Sequence, residues 1–202
     1  NYTGTQNVAI GSYALDAANT DNNVAVGYQA MTNSTASECV AVGSRALKAH
    51  TSGARNSALG SEAATAVTTA NDITAIGRSA LAANTTASSN TAVGSRSLMA
   101  NTTGPDNTAV GSRALTANTT GDHNVAVGTN SAPRGTTGSR NIAFGSQAFA
   151  SATTGHDSVA IGYQSLDAVT SGNHNVGVGA GTLSTCTTGH SNTGISTDAG
   201  LR

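Results

Sequence analysis

The chain has 202 residues, of which 9% are charged and 3% aromatic, with no tryptophan, 24 glycines and a formal charge of −1. So few large side chains exclude a single thick globular core. The balanced charge leaves no basic stripe for nucleic acid and no polybasic membrane patch, and no run approaches the roughly 18 apolar residues of a membrane-spanning helix.

In chain order, one short motif recurs: a small or apolar residue, then alanine, an aliphatic residue and glycine. The first six copies are Val8-Ala9-Ile10-Gly11, Val24-Ala25-Val26-Gly27, Val40-Ala41-Val42-Gly43, Ser57-Ala58-Leu59-Gly60, Thr74-Ala75-Ile76-Gly77 and Thr91-Ala92-Val93-Gly94. The next six are Thr108-Ala109-Val110-Gly111, Val125-Ala126-Val127-Gly128, Ile142-Ala143-Phe144-Gly145, Val159-Ala160-Ile161-Gly162, Val176-Gly177-Val178-Gly179 and the degenerate Thr193-Gly194-Ile195-Ser196. The closing positions step by 16 twice and then by 17 to the end. Such a period marks a stacked repeat architecture, and each motif is predicted to be a short strand.

The residue before the glycine is apolar in all twelve copies, from Ile10 to Ile195, which predicts a buried column. Its predecessor is always Ala or Gly and points to the opposite face of a strand. That face is therefore expected to be crowded. The glycine permits a turn or close backbone contact that a Cβ would block. Four residues on comes a second apolar column of Leu15, Met31, Leu47, Leu81, Leu98, Leu115, Phe149, Leu166 and Leu183. Asn-Thr-Thr-Gly segments such as Asn101 to Gly104 close the unit with turn chemistry. Each unit thus reads as strand, turn, second strand, turn. Thr, Asn, Ser and Gly at this density do not form helices. The expected fold is all-β: a parallel β-solenoid of about twelve coils of 16–17 residues, one domain over 1–202, roughly 55–60 Å long.

Each coil offers about two large apolar side chains, a thin return for ordering its residues. The uniformly small Ala/Gly column suggests where further burial comes from. Such a face can approach another backbone closely, as at the axis of a bundle of identical chains, and a parallel homotrimer is expected ahead of a dimer or a monomer.

No catalytic, cofactor or metal site is expected. Cys39 and Cys186 lie about nine coils apart, too far to pair. His50, His123, His156, His174 and His190 read as solvated turn residues, although three of them fall on consecutive coils and a weak metal ladder is conceivable. Asp106 and Asp122 are expected near each other on adjacent coils, without the burial that a general acid/base pair needs. The Gly177 to Gly181 run lacks the Lys-Ser/Thr of a phosphate loop. The sequon at Asn84 reads as incidental. Ala132-Pro133-Arg134-Gly135 interrupts the pattern and predicts a bulge or distorted corner.

The core Asn7-Val8-Ala9-Ile10-Gly11 resembles the head repeats of trimeric autotransporter adhesins, and the 17-residue unit Asn107 to His123 more closely resembles ladders in phage tail-fibre-like proteins. The resemblance implies a left-handed, trimeric roll on a virion or bacterial cell surface. The implied role is an extracellular shaft that positions a receptor-binding tip, with the cell-surface receptor met by parts outside this sequence. Neither nucleic acid nor membrane insertion is expected. A second reading is a module whose own ladder surface, with its regular Thr pairs, adheres to host matrix, glycan or ice. Asn1, Thr3 and Gly4 match the Asn-Thr-Thr-Gly slots, and Arg202 falls partway through a unit. The chain is therefore expected to be a segment of a longer fibre, and no signal peptide is expected from its polar opening.

Overall fold

A computed structural model describes residues 4–16 and 20–200; Asn1, Thr3 and Arg202 lie outside that range. The chain is a parallel β-solenoid. Its strands are β1 (Val8–Ile10), β2 (Val24–Val26), β3 (Val40–Val42), β4 (Ser57–Leu59), β5 (Thr74–Ile76) and β6 (Thr91–Val93). They continue as β7 (Thr108–Val110), β8 (Val125–Val127), β9 (Ile142–Phe144), β10 (Val159–Ile161), β11 (Val176–Val178) and β12 (Thr193–Ile195). All twelve form one sheet in chain order. Each pairs in parallel with the next, so that Ala92 stands beside Ala109 and Val93 beside Val110. Among the described residues there is no helix.

One strand per coil suffices because hydrogen bonds between coils continue around the whole turn. In the seventh coil, Gly111 N–H donates to Val93 O (2.7 Å) and Arg113 N–H to Ser95 O (3.0 Å) of the preceding coil. On the other side Leu115 N–H donates to Ser131 O (3.0 Å) and Thr119 N–H to Thr136 O (2.8 Å) of the next. Buried backbone groups thus find partners along the axis even where the chain is turning.

The second strand expected in each unit does not form. The second apolar column lies in turns instead: its members, with Ala64 and Ala132, hold φ between +44° and +55°. This left-handed backbone is uncommon for side chains with a Cβ. Here it lets a tight corner (Ala114 N–H to Gly111 O, 3.3 Å; Asn118 N–H to Leu115 O, 3.1 Å) aim the side chain inward. Leu15, Leu47, Leu81, Leu98, Leu115, Phe149, Leu166 and Leu183 are all buried. Their burial offsets the cost of the backbone.

The two faces of the strand are reversed from expectation. The small column Ala25, Ala41, Ala58, Ala75, Ala92, Ala109, Ala126, Ala143 and Ala160 is the buried one, packed against the leucines inside its own coil; only Ala9, in the first coil, is exposed. The space is narrow. A Cβ on Gly177 would meet Leu166 Cγ at 3.0 Å and Ser165 Oγ at 2.6 Å. The aliphatics expected in the core point outward: Ile10, Leu59, Ile76, Phe144, Ile161 and Ile195 are exposed. Val26, Val42, Val93, Val110, Val127 and Val178 are half-buried. A coil this thin has room for a methyl where the strand faces in, and the larger residues take the other side.

Pro133 causes no bulge in the sheet. Strands β8 and β9 stay in register, and Pro133 O still accepts from Ala117 N–H at 3.2 Å.

Candidate interaction surface

The outward side of the sheet is a file of apolar side chains. Its third strand position carries Ile, Val, Leu or Phe in every coil, with Leu59 49% and Phe144 53% exposed. Beside it the first strand position adds exposed Val40, Val125 and Ile142, with a block of hydroxyl residues from Ser57 to Thr108 between them. Scattered exposed apolar residues need no explanation, whereas a contiguous file along a rod marks a contact surface. Tyr13 and Tyr28 flank one end, with rings edge to face at 6.2 Å.

Under this face runs an asparagine ladder that the sequence reading did not find. The residue before each strand has the same side-chain parity as the inner alanine, and Asn23, Asn56, Asn90, Asn107, Asn124, Asn141 and Asn175 are buried there. Each Asn reaches into the following coil. Asn107 Oδ1 accepts from Asn124 N–H (2.9 Å), while its Nδ2 donates to Gly121 O (2.8 Å). Asn124 repeats this with Asn141 N–H (3.0 Å) and Gly138 O (2.8 Å). Cys39, a buried free thiol, occupies the same slot, and Asn23 Oδ1 accepts from its N–H at 3.0 Å. A shorter run joins Asn84, Asn101 and Asn118 by amide-to-amide bonds of 3.0 and 2.8 Å. It stops at Gly135, and Asn118 Oδ1 is left without a partner. Asn84, the sequon residue, is buried and donates to Ala87 O at 2.9 Å.

His50, expected as a solvated turn residue, instead shares the interior column of that run, where its small polar neighbours leave room for the ring. It is 0% exposed, with Nδ1 3.0 Å from Ser34 Oγ and Nε2 2.9 Å from Asn56 Nδ2. Asn56 Oδ1 is taken by Ile73 N–H (3.1 Å), so its amide nitrogen faces His50 and Nε2 must be the unprotonated atom. Burial pushes the His50 pKa down to about 4. Because the folded value lies below the unfolded one of about 6.5, the unfolded chain binds the extra proton between these limits. Stability is then flat above about pH 6.5 and falls by roughly 3 kcal/mol as pH drops to 4. His50→Val, the residue type at Val67 and Val169 in the same column, is expected to flatten this dependence. Thermal midpoints at pH 7 and pH 5 check it; an equal fall in both proteins would refute the assignment to His50. The carboxylates of Asp21, Asp72, Asp122 and Asp157, all held below their usual pKa, destabilise only at lower pH as they protonate.

The corner before the Asn slot carries one file of charged residues. Arg55 grips Asp72 on the next coil through two bonds of 2.6 and 3.0 Å, and Arg140 grips Asp157 in the same way (2.6 and 2.9 Å). Asp106 and Asp122 do come together, bracketing His123 at 3.7 Å from Nε2 and 3.1 Å from Nδ1. The Ser139 hydroxyl, and then His123, hold the Asp122 carboxyl below its usual range. It is therefore ionised at neutral pH and unsuited to act as a general acid. Desolvation raises the Asp167 carboxyl, whose Oδ1 is buried without a hydrogen-bond partner.

The first Thr of each pair is structural: Thr102 Oγ1 donates to Thr119 O (3.0 Å), Thr119 to Thr136 O (2.9 Å) and Thr136 to Thr153 O (3.0 Å). The second remains exposed, as at Thr103, Thr120, Thr137 and Thr154.

No family model, curated protein or solved structure matches this chain.

Proposed function

We propose that the chain is the structural shaft of a trimeric extracellular fibre, of the kind carried by phage tails or surface adhesins, which holds a receptor-binding element away from a virion or bacterial surface. The observation that carries the reading is the unbroken file of outward apolar side chains on all twelve strands. Three rods laid with these files against a common axis would remove them from water along their full length, at about 25 cal/mol per Å² of apolar surface. The alanines, spent inside each coil, are not the contact. Axial hydrogen bonds at strand, corner and turn suit a part whose work is to keep its length under load. The partners in this reading are two further copies of the chain, and the receptor is met elsewhere.

In solution the protein is expected to have about three times the chain mass of 19.7 kDa. Ile76→Asp combined with Val110→Asp is expected to shift it to the single-chain mass while the far-ultraviolet β signal persists, because both side chains face outward. Light scattering coupled to size exclusion measures this. A wild-type protein that stays monomeric at all concentrations would rule the trimer out. The exposed hydroxyl file favours the alternative, an adhesive ladder for ice, glycan or matrix. With one of each Thr pair consumed internally, it leaves a single column, and a monomer with thermal hysteresis would favour that reading instead.

A further inference from the structure

One corner of the surface converges on a metal-binding geometry. His156 and Asp157 precede β10, and His174 stands one coil on, before β11. One ligand atom from each of the three residues lies within 4.8 Å of the others. His156 Nδ1 is 2.6 Å and His174 Nε2 3.9 Å from the same oxygen, Asp157 Oδ2. The two imidazoles meet edge to face at 5.7 Å. Two imidazoles and a carboxylate are the donor set of borderline transition metals, with the remaining positions open to water.

The surroundings hold these groups in place. Asp157 and His174 occupy equivalent corner slots with φ of +56° and +57°. The His156 backbone N–H is fixed by Asn173 Oδ1 at 3.0 Å. Arg140 Nε holds Asp157 Oδ1 at 2.6 Å, while its Nη2 reaches Oδ2 at 2.9 Å. An entering ion takes the place of the Nη2 contact on Oδ2, and the Nε bond keeps the carboxylate aimed. The corner around His123 has the same residue types but a different geometry. There Asp106 and Asp122 approach opposite ring nitrogens, so the donors surround the ring rather than a common point.

We propose that His156, Asp157 and His174 bind one divalent transition-metal ion of the Zn²⁺, Ni²⁺ or Cu²⁺ class, stapling two adjacent coils. This stands independently of the trimer. Calorimetric titration of the whole chain with Zn²⁺ and Ni²⁺ is expected to show one ion per chain. His174→Ala and Asp157→Asn should each weaken binding by about tenfold or more, whereas His123→Asn leaves it unchanged. The ion should also raise the thermal midpoint in proportion to its occupancy. Cu²⁺ bound to the wild type should show two nitrogen donors by electron paramagnetic resonance, which decides the matter even if a variant fails to fold. Absence of binding, undiminished binding in His174→Ala, or fewer than two nitrogens would overturn the proposal.

Discussion

Gly111→Ala is expected to cost about 3 kcal/mol or more, read from the denaturant midpoint. The turn glycines from Gly11 to Gly179 hold φ between +124° and +142°. A Cβ at Gly111 would stand 2.5 Å from the Gly128 carbonyl oxygen and 2.7 Å from its carbon. Two effects could matter here, and one residue separates them. Ser196 fills the same slot of the twelfth coil at φ +131° and carries a Cβ, so the dihedral by itself is tolerated. The stacked carbonyl is the larger obstacle, and it is backbone, which cannot swing aside without parting β7 from β8. Faster amide exchange at that strand pair should accompany the loss, since neighbouring coils are what hold each repeat. Gly135→Ala is the control: its Cβ would find nothing nearer than Ala132 O at 3.6 Å, and a change within about 0.5 kcal/mol is expected. Equal midpoints for Gly111→Ala and wild type would show that the coils are not locked by these glycines.

The second large effect is expected at Asn107. Asn107→Leu removes an acceptor from Asn124 N–H and a donor from Gly121 O, both in the buried ladder. Each stranded group costs about 1–3 kcal/mol, which puts the variant about 3 kcal/mol below wild type. The loss is polar rather than steric, because Ile73 already occupies an equivalent slot. Asn107→Asp keeps the shape and turns a carboxylate toward the carbonyls that Nδ2 now serves, Gly104, Pro105 and Gly121 at 3.2, 3.1 and 2.8 Å. It should be the worse of the two at pH 7 and recover as pH falls and the carboxyl protonates, since the neutral acid can again donate. Chemical denaturation at pH 7 and pH 5 gives the ordering. If Asn107→Leu matches wild type, the ladder contributes no specificity to the stacking.

The period, the twelve strands and the parallel stacking could be read directly from the spacing of Gly11, Gly27 and their successors. The inner and outer faces could not, because both strand faces are free of charge and either could pass for a core. A signal was present in the first strand position. Ser57, Thr74, Thr91, Thr108 and Thr193 share the parity of the aliphatics, and hydroxyls in that column mark a side that is not closed within one coil. The inner face then falls to Ala, with Asn two positions earlier. Asparagine usually stays at the surface, so its burial became apparent only with the partners that satisfy it. The interior place of Leu115 and its equivalents is legible from the apolar column, whereas their position in a corner rather than a strand is not. Left-handed backbone at a leucine has no sequence signature, and it follows from the corner hydrogen bonds.

The shorter second coil shows where the repeat accepts a change of length. In 17-residue coils Thr51 N–H and Ser52 N–H share one acceptor, Thr68 O, at 2.9 and 3.1 Å. In this 16-residue coil Thr35 goes directly to Ala36, whose N–H turns to Ser34 Oγ at 3.1 Å. The residue dropped is the one whose bond was duplicated, and strands, leucines and Asn ladder keep their register. Loss of one residue at this exposed corner therefore leaves the strand register undisturbed. Foreign peptides spliced there would be displayed in a single line, one per coil, at a pitch of about 4.8 Å.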